Sequence, residues 1–210
     1  MTVITNYATL QTAVSDYLAR DDLTTYIPNF IQNCENKLYR TMHLRDEENL
    51  YVENVSSGKV NLPTLWKAHK FAYYQSGQET HRLQWVTLDE MYDKYPNRSE
   101  TTTAPKLIAR EQSSLIFGPV AADGSAVLKG IYYAKPQPLR DNDNTWYVTN
   151  APEVLLYGSL LEAKPFIMDD ARIPVWQQFF AEAVATLETA ERISEMPQGG
   201  LIVQRGSNMP

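Results

Sequence analysis

The sequence predicts an α+β protein: a helical body made from the N- and C-terminal helices, with an antiparallel β-rich region inserted between them. Two observations lead there. Apolar residues recur at helical spacing near both ends of the chain, and from about Asn49 the period changes to two. Short runs rich in Val, Ile, Tyr and Trp then alternate with Gly-, Ser- and Pro-containing turn signals. The expected organisation is N-terminal helices over 1–46, a β-rich region over 47–145, C-terminal helices over 146–196 and an extended arm over 197–210.

The first helix is expected from Asn6 to Leu18, where Tyr7, Leu10, Val14, Tyr17 and Leu18 share a face and Thr5 or Asn6 can cap. A second opens near Ile27, where Pro28 suits a first turn, and runs to about Met42. Its stripe is Ile27, Phe30, Ile31, Cys34 and Leu38, so Cys34 reads as a small core hydrophobe. "NLYVENVSSGKVNLP" predicts two strands around a Ser-Ser-Gly turn, and "WKAHKFAYYQSGQETHRLQWV" repeats that form around Ser76-Gly77. Thr87 and Glu90 make a capping box for "TLDEMYDKY", which Pro96 ends. "PNRSETTTAP" is loop, and strands are expected in "PKLIA", "SSLIFG" and "AVLKGIYYAKP".

Asn150 and Glu153 are placed to cap "APEVLLYGSLLEAK", which is apolar on nearly every face and so should be buried. Pro165 should end or kink it. A last helix is expected from around Asp170–Pro174 to about Glu195, with Trp176, Phe179, Phe180, Ala183, Leu187 and Ala190 at three-four spacing. Beyond it, Gly199-Gly200 reads as a hinge before the apolar trio Leu201, Ile202 and Val203, with Arg205 keeping the end soluble. That trio is too short to build a core, so it fits either a loose tail or an arm that adds a strand to a partner's open sheet edge.

Composition narrows the function classes. The 210 residues are 43% hydrophobic and carry a net charge of −6 with a pI near 5.1, which argues against coating nucleic acid. No apolar run approaches the roughly 20 residues that span a bilayer. "MTVITNYATL" has neither a charged n-region nor an apolar h-region, so folding in the cytoplasm is expected. One cysteine cannot form an internal disulfide, leaving stability to packing or assembly.

Motifs for chemistry are missing: no P-loop, no GxGxxG after a strand and no GxSxG elbow. His43, His69 and His81 lack metal-site spacing; His69 and His81 are placed to face each other across a hairpin. "DNDNTW" begins like a calcium loop at Asp141, Asp143 and Thr145, but Trp146 replaces the turning glycine and Pro152 the closing glutamate, so an Asx-rich turn is expected. Asp169-Asp170 can serve a nuclease metal, or favour the positive end of the last helix dipole; the second is preferred. Lys67, Lys70, Arg82 and Lys94, interleaved with Glu79, Asp89, Glu90 and Asp93, read as a solvated mixed-sign face. No catalytic residue, cofactor or metal ligand is assigned, and the chain is not expected to be an enzyme.

Two stretches carry a resemblance. "YLARDDLTTYIPNFIQNCENKLYRTMHLRDEE" resembles the opening of the tailed-bacteriophage head–tail adaptor (head-completion, connector) proteins. "NTWYVTNAPEVLLYGSLLEAKPFIMDDARIPVWQQFFAEAVATLE" is similar to their C-terminal signature, through Trp146, Pro152, Tyr157, Asp170 and Trp176. The middle fits more loosely through "SSLIFGP" and "GIYYAKPQPL", and Cys34 departs from an expected alanine. The resemblance implies a structural virion protein at the head–tail junction, forming a ring, usually a dodecamer, between the portal and the tail. Its implied partners are other copies of itself, the portal protein, and tail nozzle, tube or fibre proteins, with no membrane. DNA would pass through the lumen without specific binding, and an acidic lumen suits that passage. The related adaptors' use of C-terminal segments makes the portal the expected partner of the Leu201–Val203 arm. The alternatives from other classes are a metal-dependent nuclease or hydrolase using Asp169 and Asp170, and a DNA-binding packaging component.

Overall fold

A computed structural model describes residues 3–97, 100–101, 103–121, 126–143, 145–168 and 170–196. The N-terminal elements are α1 (Tyr7–Leu18) and α2 (Ile27–Thr41). There follow β1 (Glu48–Asn54), β2 (Lys59–Asn61), β3 (Trp66–Ser76), β4 (Glu79–Arg82), β5 (Gln84–Trp85) and α3 (Leu88–Lys94). Then come β6 (Glu100–Thr101), β7 (Leu107–Glu111), β8 (Ser114–Gly118), β9 (Val120–Ala121) and β10 (Ala126–Ala134). The chain closes on α4 (Trp146–Asn150), α5 (Pro152–Glu162) and α6 (Ile173–Glu195). The fold is α+β, and it divides into two units: Met1–Asn36 with Leu139–Pro210, and Lys37–Pro138.

In the first unit, α1 starts where the Asn6 side chain accepts from the Thr9 N–H at 2.9 Å while the Thr9 hydroxyl accepts from the Asn6 N–H, a reciprocal cap. It ends at Ala19 in the left-handed region, whose N–H returns to the Ser15 carbonyl. Helix α5 lies at the centre, packed by α1, α4 and α6. Val154, Leu155, Leu156 and Leu160 are all buried on it, and each such side chain contributes about 1.5–3 kcal/mol of transfer free energy. Apolar residues around its whole circumference therefore reflect neighbours on every side.

The start of α5 differs from expectation. Asn150 ends the separate helix α4, donating from Nδ2 to the Trp146 carbonyl, and α5 begins at Pro152 with no side-chain cap. The physical reason is Pro152, which disfavours helical backbone at the residue before it; Ala151 sits at φ −146°, ψ 53°. Chain return from the β unit is tied at Leu139, whose N–H donates to the buried Glu35 carboxylate at 2.9 Å.

Close approach between helices depends on Gly158 of α5. A Cβ there would lie 2.3 Å from the Cys34 Sγ and 3.0 Å from Phe180 Cε2. Cys34 is buried, as its place in the apolar stripe implies.

In the second unit, two four-stranded sheets form, in the orders β1-β10-β3-β4 and β2-β8-β7-β5, and β6 pairs with β9. Pairing is antiparallel except for β5 with β7 and β6 with β9. The Ser-Ser-Gly turn makes a bridge between Ser56 and Lys59, yet its two strands part company: β1 pairs with β10 and β2 with β8. Tyr51, Val60, Tyr74, Ile108, Phe117 and Leu128 from both sheets join in one core. Tyr51 stands opposite Gly130, where an added Cβ would meet the Tyr51 ring at 2.7 Å and the Phe71 carbonyl at 2.5 Å. The Thr87 hydroxyl accepts from the Glu90 N–H at 3.2 Å to start α3.

Lys67 corrects the expected solvated face. It is largely buried, pairs with the buried Glu47 carboxylate and donates to the Met42 carbonyl. Desolvation of two charges is expensive, so this pair fixes geometry more than it adds net stability. Lys70 pairs with Glu48, and Lys94 with Glu90 one helical turn away.

We expect Gly158→Ala to destabilise the protein by about 1–3 kcal/mol, the cost of overpacking outweighing the helix preference of alanine. Cys34→Ala in the same chain should recover part of that loss by removing the sulfur. Denaturant melts of the two single variants and the double variant measure the coupling.

Candidate interaction surfaces

Two residues of the C-terminal signature, Asp170 and Trp176, meet at Arg172. Its guanidinium forks onto Asp170, with Nη2 to Oδ2 at 2.6 Å and Nε to Oδ1 at 3.0 Å. The same group donates to the Tyr17 and Leu18 carbonyls at 2.7 and 3.2 Å, and lies 5.0 Å over the buried Trp176 ring. It thus meets the unsatisfied carbonyls at the negative end of α1. Hydrogen bonds from the Arg172 side chain, then from its backbone N–H, lower the Asp170 pKa to about 2.

Asp170 is therefore not the cap of α6. The helix starts after Arg172 without a side-chain cap, and the carboxylate instead orders the turn by accepting from the Arg172 N–H at 2.9 Å. A metal would have to compete with a forked guanidinium for this carboxylate. Asp169 lies outside the described residues.

Trp146 opens α4 and packs edge-on against Tyr147, while Pro152 opens α5. Tyr157 sits between Tyr17 and Phe179, with ring centroids 6.3 and 5.2 Å away. Burial, then Tyr17 beside it, raises the Tyr157 phenol pKa. The inner face of α6 buries Ile173, Trp176, Ala183 and Leu187, but Val175, Phe179 and Ile193 are exposed beside that seam. A second exposed cluster is aromatic: Tyr26 and Phe166 are both exposed, with centroids 5.0 Å apart, over Phe30.

The histidines are dispersed. His43 stacks on Tyr133, His69 stacks on Trp85 at 3.7 Å, and His81 stands opposite Tyr74 on β4. His69 and His81 thus do not face each other; the register places Tyr132 opposite His69. Burial lowers the pKa of His69 and, with Lys67, that of His43. Among the described residues, no three His, Cys, Asp or Glu side chains are grouped to hold a metal, and no helix is long and apolar enough to cross a membrane.

Gly199, Gly200, Leu201, Ile202, Val203 and Arg205 lie outside the described residues. Sequence reasoning missed Arg172 as an organising group, although the Asp-x-Arg spacing was there to be read. It also missed Glu35, a charge set beside an apolar helical stripe, where an unpaired carboxylate would be costly.

Exposed aliphatic and aromatic side chains thus lie on a scaffold whose signature residues Tyr157, Asp170 and Trp176 serve packing. The chain belongs to the SU10 adaptor protein family, which matches residues 5–202. It is a bacteriophage adaptor, a structural component of the virion. A comparison with curated proteins gave no match.

The Asp170 pKa has a pH consequence. Because it is depressed from 3.8 to about 2, the folded state binds fewer protons than the unfolded state in that interval. The fork's contribution is complete above about pH 4 and is lost as pH falls through about 2. In acid titrations followed by circular dichroism, Asp170→Asn should show a shallower loss of stability across this window than the wild-type chain.

Proposed function

We propose that the protein forms a closed ring, usually of twelve copies, at the head–tail junction, joining the portal to the tail and giving tail components a docking platform. The family match across residues 5–202 carries this reading. The exposed residues of α6 support it, because a ring above a dimer requires unlike surfaces of neighbouring copies to meet. The β unit is the face we assign to tail nozzle, tube or fibre proteins, since sheet edges and loops are suited to docking. DNA passes through the lumen unbound. The arm around Leu201–Val203 and Arg205, hinged at Gly199-Gly200, is assigned to an open sheet edge of the portal, where several weak arms act together.

Two outcomes test the reading. Val175→Glu with Ile193→Glu should leave the melting curve of the free chain within about 1 kcal/mol, as exposed substitutions do. The same variant should fail to place a ring on packaged heads viewed by electron microscopy; rings of normal occupancy would refute the α6 assignment. A chain truncated after Glu195 should fold but leave DNA-filled heads without tails. Tailed particles at wild-type yield would remove the arm from the mechanism.

A further inference from the structure

The β unit contains a forked cleft. Strand β4 pairs with β3 from Tyr73 to Ser76, and the Leu83 N–H still reaches the Ala72 carbonyl. The chain then turns away, so that β5 pairs with β7 in the other sheet. Between the diverging strands lies a cavity of about 380 Å³, lined by His69, Arg82, Gln84 and Trp85 with Ile108 behind.

One edge of that fork is β5, whose side away from β7 has no paired strand among the described residues. The N–H groups of Gln84 and Val86 donate to the Lys106 and Ile108 carbonyls of the β7 side. By alternation, the Trp85 N–H and carbonyl point the other way, as the Leu83 N–H does. Strand β5 is the outermost strand of its sheet among the described residues.

The side chains sort by exposure. Arg82, the last residue of β4, and Gln84, the first of β5, are both exposed at the fork, and neither has a side-chain partner among the described residues. Leu83 between them is buried in the core, and Trp85 is half-buried against it. Lys70 is already matched by Glu48, so Arg82 is the lining cation whose charge is available, on a chain of net charge −6. His69 lies flat on Trp85 at 3.7 Å and Trp66 is stacked 6.3 Å away. The indole surface is engaged within the protein, which disfavours a ligand held by ring stacking, such as a nucleobase or a sugar.

We propose that this fork binds an extended segment of a partner protein in which acidic and apolar residues alternate. The segment adds as a strand along β5, its backbone pairing with the Trp85 N–H and carbonyl. Its carboxylates meet the Arg82 guanidinium and the Gln84 amide on one face, and its apolar side chains pack beside Trp85 on the other. The inference deepens the reading of the β unit as the tail-facing surface, and it rests on that reading for the source of the segment.

The test uses the full chain and two capped peptides, Val-Glu-Val-Glu-Val and Val-Lys-Val-Lys-Val, titrated by ¹H–¹⁵N NMR. The Glu peptide should shift the Trp85 indole and backbone signals while Trp146 and Trp176 stay still. Arg82→Glu should weaken binding about tenfold or more, and Arg82→Lys should retain part of it. Arg82 is exposed, so an unchanged spectrum of the free variant separates lost binding from lost fold. No Trp85 shift, equal binding of the Lys peptide, or wild-type binding by Arg82→Glu would each overturn the site. Phage carrying Arg82→Glu provide the second arm. Loss of tails supports a tail protein as the source, whereas normal tails with peptide binding abolished overturn that source and leave the peptide site standing.

Discussion

One guanidinium organises the helical unit. Arg172 gathers the carbonyl end of α1, the Asp170 carboxylate and the Trp176 ring at one point. These groups come from opposite ends of the sequence, and helix packing alone does not specify how the first and last helices should meet. A planar fork with several directional donors supplies that register, which a lysine could not reproduce. The cost of leaving helix-terminal carbonyls unsatisfied makes the arrangement strongly directional.

The β unit solves a different problem. Its turn after β1 sends neighbouring strands into two sheets, so the core between them is closed by residues distant in sequence. Tyr51, Trp66 and Tyr132 pack around one another there, with Trp66 and Tyr132 stacked at 5.3 Å. The same divergence of consecutive strands, repeated between β4 and β5, leaves a sheet edge beside a cavity. Such an edge is normally a hazard for aggregation, which gives a reason for a charged Arg82 beside it.

Much of the helical unit was legible. The stripe Leu10, Val14 and Leu18 was sufficient for α1, and apolar residues on every side of α5 announced its central place. The hairpin at Gly77 followed from period-two runs and turn residues, and β7 and β8 were expected as strands without their pairing. What stayed hidden was pairing between distant strands. Nothing local in "NLYVENV" says that Asn49 will stand opposite Tyr132, and a two-residue strand such as Gln84–Trp85 is too short to carry a period. Lys67 misled because sequence shows a charge among charges, while its partner Glu47 and its burial are tertiary facts. The break before α5 was readable from Pro152, but Asn150 and Glu153 made a cap look natural there.

The helical unit is assembled from both ends of the chain, and this imposes an order on synthesis. Helix α1 leaves the ribosome early, yet its buried face of Leu10, Val14 and Leu18 is covered by α5, which begins at Pro152. At bacterial elongation rates that interval is on the order of ten seconds. The β unit has all of its own strands by Ala134, so its two sheets can close while the first helix still waits. Until α5 emerges, the apolar face of α1 has no α5 to cover it.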